Sequence, residues 1–245
     1  MNKTHTAIVT GASGGIGKAI CISLAKEGYN IVVHYNSNQN DADKLVQEIK
    51  KYSNAVSVKA DLSITESAKD LYDKAAQYFG NIDTIICAAG VAHYDSFESL
   101  TPDQYRRVMD INLGSHMYLI ANALPQMRQK SYGRIVVISS IWGEVGASWE
   151  VLYSTTKAGL IGMSKALSKE VASYGITVNA VTPGVINTKM LDKFSDSEKQ
   201  DLLKEIPIGR FGTPHDVANA VCFLCSDKAS YITGATIEVN GGFGK

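Results

Sequence analysis

Tyr153 and Lys157 stand four residues apart in Tyr153-Ser154-Thr155-Thr156-Lys157. On a helix that spacing puts both side chains on one face. A lysine ammonium beside a phenol favours the phenolate and draws the phenol pKa down from about 10 toward working pH. Such a phenol can give a proton to a carbonyl oxygen and take it back. Ser140 ends the apolar run Ile135-Val136-Val137-Ile138, which reads as a buried strand. In an α/β sheet, a serine at the carboxyl end of a strand faces the crevice where ligands bind. Taken alone, a Tyr-x-x-x-Lys pair also describes an ordinary solvated helix face, so the elements around it decide its meaning.

Those elements alternate. Ala7-Ile8-Val9 reads as a short buried strand, followed by Thr10-Gly11-Ala12-Ser13-Gly14-Gly15-Ile16-Gly17 and then a helix with Ile20, Leu24 and Ala25 on one stripe. A glycine-rich turn between strand and helix lets backbone approach a pyrophosphate, and the helix amino-terminus offers it free N–H groups. The second strand is Ile31-Val32-Val33-His34-Tyr35. An acid about twenty residues beyond the glycines would grip a ribose 2′-hydroxyl. Here the chain offers Asn36, Ser37 and Asn38, with no carboxylate to repel a 2′-phosphate and no arginine to attract one. NADP is therefore favoured over NAD. Asp61 and Leu62 follow the third strand; Asp61 could either accept from an adenine amino group or cap the next helix. The fourth strand ends at Cys87-Ala88-Ala89-Gly90, small enough to admit a nucleotide.

Thr101-Pro102 opens a helix that reads through Tyr105, Val108, Ile111, Asn112 and Leu119, with Asn112 a polar residue in an apolar setting. Either Asn112 bonds locally, or it marks a kink or a water-holding point beside the site. Ile176–Val181 is a strand closed by Thr182-Pro183-Gly184, with Ile186 and Thr188 beyond it. Residues 189–209 are polar and charged and read as a substrate lid. A last strand covers Thr236–Val239. The alternation predicts one domain over residues 1–245: a Rossmann-type, doubly wound parallel sheet of about seven strands with helices on both faces.

Composition fits this and narrows the function. The chain has 245 residues, 45% hydrophobic and 20% charged, with a net charge of zero. Nothing forces a basic nucleic-acid surface. No apolar run approaches the roughly 18 residues of a membrane span, and no secretory signal is apparent. The thinly spread Cys21, Cys87, Cys222 and Cys225 suit a reducing, cytoplasmic compartment, and Cys222-Phe223-Leu224-Cys225 lies in a helix-period run that suits packing better than metal or redox chemistry. No metal site is expected.

Together, Thr10-Gly11-x-x-x-Gly15-x-Gly17, Asn112, Ser140, Tyr153-x-x-x-Lys157 and Pro183-Gly184 resemble the short-chain dehydrogenases/reductases over nearly the whole chain. Ile206–Pro214 and Ala229–Gly234 resemble the bacterial 3-oxoacyl-[acyl-carrier-protein] reductases. The resemblance implies an enzyme that carries hydride between NADPH and a ketone. Ser140 would bond the ketone oxygen, Tyr153 would donate the proton, Lys157 would hold the nicotinamide ribose and keep Tyr153 acidic, and Asn112 would hold a water linking Lys157 to solvent. Gly11, Ser13, Gly14, Gly15, Ile16, Gly17, Asn36, Ser37, Asp61, Leu62, Ala88, Gly90, Pro183, Gly184, Ile186 and Thr188 would line the cofactor, alongside Tyr153 and Lys157. Ser139 adjoins Ser140, but the thirteen-residue offset from Tyr153 selects Ser140.

Two departures bear on the substrate. Where carrier-dependent reductases present arginines to an acidic carrier, this chain has Ser131 and Tyr174, with Arg128, Lys130 and Arg134 nearby as possible substitutes. Between Ser140 and Tyr153 lie Trp142, Glu144, Trp149 and Glu150, and two carboxylates among aromatic faces suit an ammonium group. The same loop resembles reductases of a 5-aminopentanone group on elongation factor P. Three readings follow: a 3-oxoacyl thioester reductase, a reductase of an amine-bearing ketone, or a dinucleotide-binding protein without turnover. The helices starting near 102 and 151 carry apolar residues on more than one face, such as Met117, Tyr118, Leu160 and Met163, so one face would cover the sheet and the other would meet a partner. Family members pack these helices into dimers and tetramers, and the carboxyl-terminal Gly241–Lys245 is expected at another contact.

Overall fold

The computed structural model describes residues 4–188, 191 and 195–244. Seven strands, all parallel, form one sheet: β1 (Thr6–Val9), β2 (Asn30–Tyr35), β3 (Ala55–Lys59), β4 (Thr84–Cys87), β5 (Gly133–Ile138), β6 (Ile176–Pro183) and β7 (Thr236–Val239), in the order β3-β2-β1-β4-β5-β6-β7. The chain winds outward from β1 to β3 and then returns to place β4 on β1's other side, with Ala7 opposite both Ile31 and Thr84. The carboxyl ends of β1 and β4 therefore flank the switch point, where such sheets bind ligands.

Helices cover both faces, which is why β1, β4 and β5 are buried throughout. On one face α1 (Gly15–Lys26), α2 (Gln39–Ile49) and α9 (Pro214–Cys225) contribute Ile20, Leu24, Leu45 and Val221 to the core. On the other, α3 (Ser67–Phe79), α5 (Ser115–Lys130) and α7 (Val151–Val171) contribute Leu71, Leu119 and Leu160. Leu160 is fully buried in that core, whereas Met117 and Tyr118 on α5 are exposed. No helix among the described residues is long and apolar enough to cross a membrane.

The helix expected to run unbroken from Pro102 past Leu119 is interrupted. It comprises α4 (Pro102–Met109), a π segment over Asp110–Gly114, and α5. Thr101 and Gln104 form the capping box that starts it. A period-3.6 reading cannot register the inserted residue of a π turn. Asn112 sits inside that segment.

Within the expected lid, residues 189, 190 and 192–194 lie outside the described residues. The remainder carries α8 (Asp196–Lys204), capped by Ser195 with Glu198. Ile206 packs with Ile141 and Phe243, and Phe243 meets Trp142 edge-on at 5.6 Å. Phe243 thus finishes a contact inside its own chain, bracing α6 (Trp142–Val145) just after Ser140.

Candidate active site

The glycine turn is built by close approach. Gly11 has φ +63°, and a Cβ there would lie 2.7 Å from the Ala89 Cα. A Cβ on Gly17 would lie 2.3 Å from the Gly11 carbonyl oxygen. Only glycine permits both. Gly14 stands at the N-cap of α1, and Gly15 faces the Thr188 methyl, bringing the first and last expected cofactor segments together. Thr10 secures the other flank: its Oγ1 accepts from the N–H groups of Ala88 (2.9 Å) and Ala89 (3.0 Å). The His34 imidazole bonds the Gly11 N–H at Nδ1 and the Ala60 carbonyl at Nε2. Burial pushes its pKa down to about 4. A neutral ring with Nε2–H satisfies both partners.

One cavity collects most of the residues expected to meet adenosine. Gly11, Ser13, Asn36, Ser37, Asp61, Leu62 and Gly90 line it. So does Arg107 from α4, which the local reading around β2 missed because it arrives from a distant element. Ile16, by contrast, packs partly into the core. Asp61 Oδ1 accepts from Ser63 N–H and Oγ–H, and these bonds hold its carboxyl below the usual range. It does not cap α3, whose N-cap is Glu66. Ala88 serves through its main chain. Pro183 and Gly184 end β6, where the Pro183 carbonyl accepts from Ile141 N–H at 3.0 Å. Ile186 is buried and bridges to Gly212.

Ser139 and Ser140 part company at the end of β5. Ser139 Oγ donates to the Lys157 carbonyl at 2.7 Å. Ser140 Oγ accepts from Trp142 N–H at 3.2 Å and its hydroxyl interacts with the Tyr153 phenol. Lys157 Nζ lies 5.5 Å from the Tyr153 ring centroid and donates to the Ile138 carbonyl at 2.9 Å. The triad is therefore assembled on one helix face and one strand end, and Ser140 is the member aimed at the phenol.

The electrostatics correct one expectation. Burial pushes the Tyr153 phenol up to about 12, against the lowering effect of Ser140, while Glu150 raises it further. Burial brings Lys157 down to about 8. Desolvation by burial is the largest cause of both shifts. The phenol is held as an acid and the lysine remains mostly protonated near pH 7.

Asn112 is buried, and its side-chain amide is fully engaged. Oδ1 accepts from Val91 N–H (2.8 Å), while Nδ2 donates to the Val91 carbonyl (3.0 Å) and to Thr156 Oγ1 (3.2 Å). It therefore ties the loop after β4 to α7, the helix that carries Tyr153 and Lys157.

At the mouth, Glu144 is exposed on α6, whereas Glu150 is half-buried at the N-cap of α7 with its carboxyl raised by burial. Only Glu150 is shown acting on Tyr153. Beside it Trp149 (φ +66°) stacks on Tyr94 with centroids 6.1 Å apart, and the Trp149 carbonyl accepts from Asp95 N–H. On the surface expected to meet a carrier, Arg134 is buried, its guanidinium 4.3 Å from the Tyr132 ring centroid, and Arg128 is paired with Glu170 at 2.7 Å. Of the three nearby cations, Lys130 is the exposed one left.

Comparison with known proteins agrees with this geometry. The profile of a family described as enoyl-(acyl carrier protein) reductase matches residues 11–244. The chain is 44% identical over 245 residues, 99% of each protein, to an uncharacterized oxidoreductase, YmfI, of Bacillus subtilis (strain 168). It is 42% identical over 243 residues to the 3-oxoacyl-[acyl-carrier-protein] reductase FabG of Staphylococcus aureus (strain Mu50), covering 99% of both. It is 43% identical over 237 residues to the FabG of Rickettsia felis, covering 97% of this chain and 95% of the relative. With a Rossmann-type sheet and relatives that match along almost their whole length, the chain belongs to the short-chain dehydrogenase/reductase family and is an NAD(P)-dependent oxidoreductase.

Proposed function

We propose that the protein reduces a ketone to a secondary alcohol using NADPH. The observation that carries this is the pairing of Ser140 with the Tyr153 phenol, with Lys157 5.5 Å from the ring, at the carboxyl end of β5. Two hydroxyls directed at one point suit an oxygen that gains charge, which a ketone has and an isolated carbon–carbon double bond lacks. NADPH, when bound, supplies the hydride. Ser140 donates a hydrogen bond to the ketone oxygen and Tyr153 transfers its proton there. Lys157 offsets the charge left on the phenol, and Asn112 keeps the Val91 loop and α7 in register. The preference for NADPH rests on the absence of a carboxylate at Asn36, Ser37 and Asn38.

The names of the FabG relatives make a 3-oxoacyl thioester on a carrier protein the first substrate class to test. The mouth supports a second, an amine-bearing ketone such as a 5-aminopentanone group. Glu150, half-buried, with no ion-pair partner among the described residues and next in sequence to Trp149 of the Tyr94–Trp149 stack, suits an ammonium. The occupied Arg128 and buried Arg134 leave little for an acidic carrier. Initial rates of NADPH oxidation with acetoacetyl thioester, free and carrier-linked, and with a δ-amino ketone decide between them. No turnover of any ketone would overturn the proposal in favour of a binding protein.

A further inference from the structure

Arg107 stands on α4 and lines the same cavity as Asn36, Ser37 and Asn38. It is exposed, and among the described residues no carboxylate forms an ion pair with it, although its neighbour Arg106 is tied to Asp103 at 2.7 Å. Asp61 shares the cavity and feels the guanidinium, but its Oδ1 is already engaged by Ser63. In the same lining, the amino-terminus of the 11-residue α2 opens at Asn38, which accepts from Asp41 N–H. The cavity thus combines short amide and hydroxyl groups with a guanidinium fork that has no ion-pair partner among the described residues. A neutral ribose diol makes no use of that fork; a phosphate does.

We infer that Arg107 is the residue that recognises the 2′-phosphate of NADPH and so sets the preference over NADH. The inference rests on the cofactor reading above and adds the cation that the sequence beside β2 lacks. It assigns the discriminating charge to α4, which contributes Arg107 to the cavity.

The test needs no turnover. Adenosine 2′,5′-bisphosphate and 5′-AMP are titrated calorimetrically into wild type, Arg107→Ala and Arg107→Lys, with melting temperatures checked alongside. Arg107→Ala should weaken the bisphosphate roughly tenfold or more, the effect of losing a charge-assisted bond. It should leave 5′-AMP within about twofold, the monophosphate making no use of the fork. Arg107→Lys should recover part of the loss, and raised salt should shrink the difference. Equal weakening of both ligands would overturn the inference and assign Arg107 to the base or to folding. No change in either ligand would overturn it too. Failure of wild type to bind either ligand is a separate result, and would remove the cofactor reading itself.

Discussion

The hydroxyl of Ser139 donates to the Lys157 carbonyl at 2.7 Å, fastening the end of β5 to the helix that carries the reacting groups. Ser140, one residue on, turns the other way. Ser139→Ala should therefore cost about 1 kcal/mol of stability and leave the pH profile of reduction unchanged. Ser140→Ala should leave the melting temperature nearly unchanged and lower kcat by about 10²-fold or more. Thermal denaturation and steady-state kinetics on the pair separate the roles. Similar kinetic losses in both would mean that Ser140 acts by holding structure.

Tyr153→Phe keeps the ring and removes the proton. We expect kcat for ketone reduction to fall by about 10²–10⁴-fold, with the dissociation constant for NADPH held within about twofold. Fluorescence titration of the cofactor checks the second half. A residual rate near wild type would show that the proton comes from elsewhere.

Lys157 has a folded pKa of about 8 against an ordinary value near 10.5. Between these values the unfolded chain holds a proton that the folded chain has shed. Stability attributable to Lys157 must therefore rise with pH across that window, by up to about 1.4 kcal/mol per pH unit. Cysteines raised by burial, such as Cys21, oppose this trend, so the measurement is the difference between wild type and Lys157→Met in denaturant unfolding from pH 7 to 10. A pH-independent difference would show that the ammonium is not desolvated.

Glu150 carries a carboxyl raised above its usual range by burial. If it binds an ammonium, KM for an amine-bearing ketone should climb as pH falls through that raised value, because protonation removes the attraction. Glu150→Gln should raise KM for that substrate at neutral pH and spare a neutral ketone. Glu144→Gln should do neither, since Glu144 faces water. Equal effects on charged and neutral ketones would dispose of the electrostatic reading.

Gly17→Ala would put a methyl 2.3 Å from the Gly11 carbonyl oxygen. Overpacking of that kind costs about 1–3 kcal/mol and should open the turn, weakening 5′-AMP and NADPH together. Gly162→Ala, at a helical glycine with nothing within 4 Å of the added methyl, is the control and should be neutral or slightly stabilising. Retained cofactor affinity in Gly17→Ala would mean that the turn tolerates a side chain.

Much of this was legible because short apolar runs become buried parallel strands, and because glycine, tyrosine and lysine at fixed offsets carry their geometry with them. Ser140 could be separated from Ser139 by the offset from Tyr153 that the family resemblance implies. What was not legible depends on three-dimensional approach. Arg107 enters the cavity from a helix far along the chain. Arg134, which sequence offers as a free surface cation, lies under Tyr132. The phenol's pKa follows from how deeply it is buried, which a four-residue spacing does not report.

The π segment at Asp110–Gly114 throws the two halves of its helix out of phase by one residue. Excising a single residue there would restore a continuous ladder, yet it would swing everything on one side of the cut by about 100° relative to the other. Val108 and Leu119 could then no longer both face inward with Asn112 between them. Shortening the chain by one amino acid at this point would erase the site while making the helix more regular.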